Sequence, residues 1–251
     1  LAAQGPLPDW AAPWFAPYRR LGLLVQSAWQ GGAPLPEALN QVAVAQGAAC
    51  RFAAQVAPVS AACYEQMIAT TGVVPTRDNW HDFFNGLVWL HFADIKRRLN
   101  ALQVDAIARQ VEATSARRSG HRGALRDALT IFDENAVFLG GASASLLDDL
   151  VGRRWRGAFE ARAAQWQGVA VEVFGHALLD QLRQPRMNLT GHLWLGSRIP
   201  VADELLCKQL RTPLVLMGIP GWAAHAGLRC DLGDLTVFRP EPSSAVVSRR
   251  R

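Results

Sequence analysis

TRDNWHDFFNGLVWLHF, residues 76–92, is the stretch on which the reading of this chain turns. It opens on short polar residues and continues as an almost unbroken apolar run, the pattern of a capped helix entering a core. Asn79 suits an N-cap, because its side-chain oxygen can accept from a backbone N–H left free in the first turn. Asp82, three residues on, approximates the second half of a capping box. No proline and a single glycine follow before KRRLNALQ, whose cations suit the negative end of the helix dipole. The spacing predicts one helix over about 79–102. Phe83, Phe84, Leu87, Trp89 and Leu90 make its middle apolar on nearly every side, so it should be central and buried.

Upstream, residues 1–36 carry PLPDWAAPWFAP and read as an extended or loosely helical segment, rich in Pro and Trp, packed on the body. From Pro36, EALNQVAVAQGAA suits a helix. Residues 51–56 and 63–70 are short and tolerant of β structure, and strands are expected there. Downstream, residues 113–122 are small, polar and basic, as in an exposed loop. ALTIFDENAVFLGG reads as a hairpin, with strands at 128–132 and 136–139 and a turn at Asp133, Glu134 and Asn135. Helices at 143–151, 153–166 and 201–210, a strand at 169–174 running into a helix from Gly175, and strands at 214–217 and 235–238 complete the pattern. The expected architecture is α+β and predominantly helical, with a small sheet or hairpins. It divides into the segment 1–36, one domain over 37–242 and a basic disordered tail at 243–251.

The 251 residues are half hydrophobic and 19% charged, a globular composition long enough to bury a substantial core. Nine tryptophans suit a thick core with pocket or interface positions. No apolar run reaches the roughly 18–20 residues that a membrane span needs. The opening LAAQGPLPDWAAPWF has neither a basic n-region nor an apolar h-region, so it does not read as a secretory signal. Cys50, Cys63, Cys207 and Cys230 lack C-x-x-C spacing and read as free thiols of a reducing compartment, the cytoplasm. The net charge of +5 is almost all arginine, lysine occurring only at 96 and 208. Genome composition accounts for that bias without a nucleic-acid partner.

A metal shared by His81 and His91 is excluded on a continuous helix. Ten residues rise about 15 Å, and the two rings point about 80° apart. His81 by itself lies on a stripe with Asn85, Val88, Phe92, Ile95 and Leu99, where a buried His and Asn must find partners. Either His81 donates to a backbone carbonyl and Asn79 and Asp82 only cap the helix, or His81 is a tuned acid/base. In the second case Asp82 or Asp133 would orient it. Arg77, Asn79 and Asn85 would then bind a small anionic substrate at the helix start. Asp133, Glu134 and Asn135 could simply face water in a turn. His176 stands at a strand-to-helix junction, a common place for ligand contacts. If it converges with His81 and Glu134, the three offer a divalent metal site.

Motifs for a dinucleotide, a P-loop, a nucleophile elbow and a zincin helix are absent. Arg117, Arg118 and Arg122, together with Arg153, Arg154 and Arg156, could track RNA phosphates, with Trp155 stacking on a base. Charge runs of this kind are usually solvated faces.

The blocks PTRDNWHDFFNGLVWLHF, RGALRDALTIFDENAVFL, FGHALLDQL, PLVLMGIPGW and TVFRP, in that order over about 74–240, resemble a proteobacterial family, domain of unknown function 3025. The final block departs from it, with Asp231, Leu232, Gly233 and Asp234 where an aromatic and paired acids are expected. The resemblance implies no reaction. Two function classes follow: a hydrolytic or acid/base enzyme, optionally metal-assisted, around the NWHD helix start, and a non-catalytic binding or scaffold protein.

Overall fold

The computed structural model describes residues 5–115, 123–195 and 212–240. Helix α1 (Arg19–Gln30) pairs with α2 (Leu35–Ala45), so the segment expected to be loosely helical includes three regular turns. Strand β1 (Arg51–Ala54) then crosses through α3 (Ala61–Thr71) to a parallel partner, β2 (Val73–Thr76). The strand expected at 63–70 is therefore a helix. Its signals are at its ends: the Ser60 hydroxyl accepts from the Cys63 N–H at 3.2 Å, and Gly72 closes it in the left-handed region at φ 68°.

Asn79 caps α4 (Trp80–His91), its side-chain oxygen accepting the Asp82 N–H at 2.8 Å. The helix does not run on to residue 102. At Phe92 the backbone leaves helical geometry (φ −118°, ψ 44°), and a new helix, α5 (Ala93–Ser115), starts. The Phe92 ring packs among Tyr18, Phe138 and Phe174, with centroids 5.5–6.3 Å away. That docking redirects the chain where helical periodicity alone would continue it.

Helix α6 (Ala124–Asn135) enters β3 (Ala136–Gly140) without a loop. The expected hairpin is thus a helix followed by a strand. Leu125, Ala128, Leu129 and Phe132 follow helical spacing, and the polar triplet taken for a turn is the last turn of α6. After α7 (Ala144–Val151) the helix expected over 153–166 is a π-helical turn, Gly157–Ala161, and a 3-10 turn, Ala163–Gly168. Strand β4 (Ala170–Val173), helix α8 (His176–Gln181), β5 (Thr190–Trp194) and β6 (Pro213–Val215) follow.

The larger sheet has the order β4-β3-β5-β6. Its central pair β3/β5 is parallel and the outer pairs are antiparallel. Residues 235–238 form turns instead of a strand, because the Asp234 carboxylate accepts from the Thr236 N–H and hydroxyl at 2.9 and 2.7 Å. The helix expected at 201–210, residues 116–122 of the expected loop and the tail at 243–251 lie outside the described residues.

Two aromatic clusters hold these layers together. Trp10, Phe15, Trp29 and Trp80 pack on Phe83 and Phe84 of α4. Phe132, Phe138, Phe174 and Trp194 fill the space between α6 and the sheet. The Tyr18 hydroxyl joins the two halves by donating to the Val173 carbonyl at 2.7 Å. The molecule is a predominantly helical α+β fold.

Candidate metal centre

The end of α6 meets the start of α8 directly in front of the first turn of α4. Carbonyls in the last turn of a helix have no intrahelical partner, and the Asp133 carbonyl receives the His176 Nδ1–H at 2.8 Å. Gly175 makes the approach possible. A Cβ there would lie 2.4 Å from the Glu134 carbonyl oxygen and the Asn135 nitrogen. Only 3% of His176 is exposed, and burial pushes its imidazole down to about 3, so the ring is neutral. A carbonyl can only accept, so the single ring proton sits on Nδ1 and the Nε2 lone pair points forward.

That lone pair faces a ring nitrogen and a carboxylate oxygen. His81 Nε2 is 3.1 Å away and Glu134 Oε2 is 3.3 Å away. Ligand atoms of all three residues fall within 4.8 Å of one another. Glu134 Oε2 is buried and has no hydrogen-bond partner. Burial, reinforced by the negative charge of Asp133, pushes the Glu134 carboxyl up to about 7.

Behind this cluster lies a fully connected polar network. Lys96, only 4% exposed, donates to Asp133 Oδ1 at 2.6 Å and to Asn85 Oδ1 at 2.9 Å. The Asn85 amide donates to the Tyr64 hydroxyl at 3.1 Å. Burial works to raise the Asp133 carboxyl, but the Lys96 ammonium group opposes it, and the net shift is downward. Asp133 is therefore an anion clamped by a buried ammonium group, with its main-chain oxygen orienting His176.

In front is a cavity of about 320 Å³ with a predominantly polar wall that includes Tyr64, Glu65, Gln103 and Arg126. The structure brings His81, Glu134 and His176 together and distributes the other sequence-selected residues differently. Asp82 does not touch His81. Its two oxygens accept from the Arg77 backbone N–H, Nε and Nη2 at 2.7, 3.1 and 2.7 Å. Arg77 is occupied in the same way and does not present a free fork to a substrate. The Asn79 oxygen serves the cap, and Asn85 belongs to the Lys96 network. Asp133 orients His176, not His81.

Sequence reasoning missed Tyr64, Glu65, Lys96 and Arg126. For Lys96 a signal existed: it is one of two lysines in a chain that otherwise uses arginine for its cations. Trp155, the base-stacking residue of the RNA alternative, is buried, parallel to Phe159, and its indole N–H donates to the Arg239 carbonyl. Arg154 and Arg156 pair with Asp149 and Glu160, and Arg117, Arg118 and Arg122 lie outside the described residues.

Two of the three donor separations fit a first-row divalent ion, and the third, between His81 and Glu134, lies within 4.8 Å. Bonds of about 2.0–2.1 Å in a tetrahedral site place ligand atoms roughly 3.4 Å apart. The observed separations of 3.1 and 3.3 Å match that spacing. A histidine ligand normally donates its other N–H to a carbonyl or carboxylate, as His176 does to Asp133.

Neither a curated protein nor a solved structure matches the chain. The match to a family model covers more than the expected resemblance at its start and less at its end, leaving out the PLVLMGIPGW and TVFRP blocks. The model, described as protein of unknown function (DUF3025), matches residues 50–209, which contain His81, Lys96, Asp133, Glu134 and His176, and the chain belongs to that family.

Proposed function

We propose that the cavity is the active site of a metal-dependent hydrolase, in which His81, Glu134 and His176 hold one divalent ion, with zinc the best fit to two imidazoles and a carboxylate. The observation that carries this reading is the convergence of two imidazole Nε2 atoms and a partnerless carboxylate oxygen on one point. Three protein donors opening on a cavity leave a coordination position for water, whereas structural zinc sites close with four protein ligands. When bound, the ion would supply Lewis acidity and lower the pKa of a coordinated water.

The protein's own groups have separate tasks. Asp133 fixes the His176 tautomer, Lys96 neutralises Asp133, and the polar wall admits water and a polar substrate. The free thiols of Cys50, Cys63 and Cys230 suit a reducing, cytoplasmic setting for this activity. No described helix is long and apolar enough to cross a membrane.

The test is elemental analysis of the purified protein, then a screen of ester, amide and phosphoester substrates before and after chelation. The expected result is stoichiometric zinc or another first-row ion in the wild type, and background metal in folded Glu134→Gln and His81→Ala. Hydrolysis should disappear with the metal and return on reloading. Folded wild type that takes up no ion from excess zinc would refute the reading.

A further inference from the structure

The cavity has a second end. Arg126, Thr130, Asp133 and Glu134 occupy positions i, i+4, i+7 and i+8 of α6 and line one wall. Glu134 is at the metal-binding end. Arg126 begins eight residues earlier, about 12 Å along the helix axis. The guanidinium is steadied by Nη1, which donates to the Gln110 side-chain oxygen at 2.7 Å. Its Nε is buried and has no hydrogen-bond partner. Arg77, the other arginine on the cavity wall, is already engaged by Asp82, and Lys96, behind the wall, by Asp133.

We infer that Arg126 is the substrate-recognition residue of this site, binding a carboxylate or phosphate group at the end of the substrate remote from the metal. The inference rests on the hydrolase reading and adds the class of substrate: a small, elongated acid whose cleaved bond lies away from its charge. Two observations carry it, a guanidinium N–H without an acceptor and the separation along one helix face. An oxyanion accepting from Nε is also placed to accept from the neighbouring Nη2, the fork geometry that arginine offers to carboxylate and phosphate. Tyr64 lines the same cavity. Its hydroxyl oxygen already accepts from Asn85, which leaves the O–H proton for a ligand.

Glu65, an acid on the same wall, is itself engaged, its Oε2 accepting from the Asn100 amide at 2.6 Å. Burial pushes its carboxyl up, opposed first by the Asn100 hydrogen bond and reinforced by Asp133. The cavity volume of about 320 Å³ is at the lower end for small-molecule sites and suits a metabolite-sized acid.

The test uses zinc-loaded protein and hydroxamate probes, whose head group chelates the metal. Monohydroxamates of dicarboxylic acids of increasing length, and their terminal phosphonate counterparts, are compared with alkyl hydroxamates of equal length by calorimetry. In the wild type, the best anionic probe should bind roughly tenfold or more tighter than its alkyl equivalent, as a charge-assisted fork contact implies. Arg126→Gln should abolish that preference and leave alkyl hydroxamate affinity unchanged. Arg126→Lys, which keeps the charge but loses the fork, should retain only part of it. The carboxylate and phosphonate arms distinguish the two anion sources. Equal binding of anionic and alkyl probes to the wild type, or a preference that survives Arg126→Gln, would overturn the inference while leaving the metal centre standing. Failure of every hydroxamate to bind would overturn both.

Discussion

Two cavities of similar size, about 320 and 360 Å³, lie on either side of the same three helices. On α3, Tyr64 and Glu65 face the first cavity, and Ile68 and Ala69, one turn on, face the second. On α4, His81, Asp82 and Asn85 face the first, and Trp89 faces the second. The second is lined by Cys50, Ile68, Trp89 and alanines, and its one cation, Arg97, is paired with Asp94. Volume therefore does not separate a site from a packing defect. What distinguishes the first cavity is its set of donors and acceptors, brought in from distant parts of the chain and left without partners at two points, Glu134 Oε2 and Arg126 Nε.

Lys96 is the seam between the two, with its ammonium group on Asp133 and 5.3 Å from the centroid of Trp89. Removing it is the harshest way to break the contrast. Lys96→Met leaves the Asp133 charge buried without its counterion and should cost about 3–5 kcal/mol, measured by denaturant unfolding. Adding Asp133→Asn should recover part of that loss, because the stranded charge is then gone. A smaller change sharpens the contrast. Gly175→Ala forces a Cβ against the Glu134 and Asn135 backbone and should cost about 1–3 kcal/mol. It should also weaken zinc retention in a chelator competition, since it moves His176 away from Glu134. Smallest of all, Ala101→Leu fills part of the apolar cavity and should change stability by no more than about 0.5 kcal/mol. Zinc retention should be unaffected. A large effect on the metal from this substitution would mean that the two cavities are one functional unit.

The α+β architecture and the α4 cap were legible because capping chemistry and hydrophobic patterning are local signals, whereas His81, Glu134 and His176 could be named as a set only on condition that the fold brought them together. The α4/α5 break was not legible, since Phe92 departs from helical geometry through docking on Tyr18, Phe138 and Phe174, residues distant in sequence. Reading residues 128–139 as a hairpin hid more. With Asp133 and Glu134 taken as turn residues, the stripe from Arg126 through Thr130 to Glu134 had no helix to lie on, and Arg126 went unnoticed. Asp82 shows the opposite error. It neighbours His81 in the chain, yet at adjacent helix positions side chains diverge, and it turns back to Arg77.

The missing loop between α6 and β3 ties chemistry to strand alignment. Val137 of β3 pairs with Val173 of β4, and His176 follows three residues later. Shifting that ladder by one position would invert which side of the sheet each residue faces and carry the imidazole roughly 3.4 Å off its mark. The three donors can meet only after the strands have aligned correctly, so ion uptake would report native registration of the sheet. A misaligned conformer would be unable to capture the ion at all.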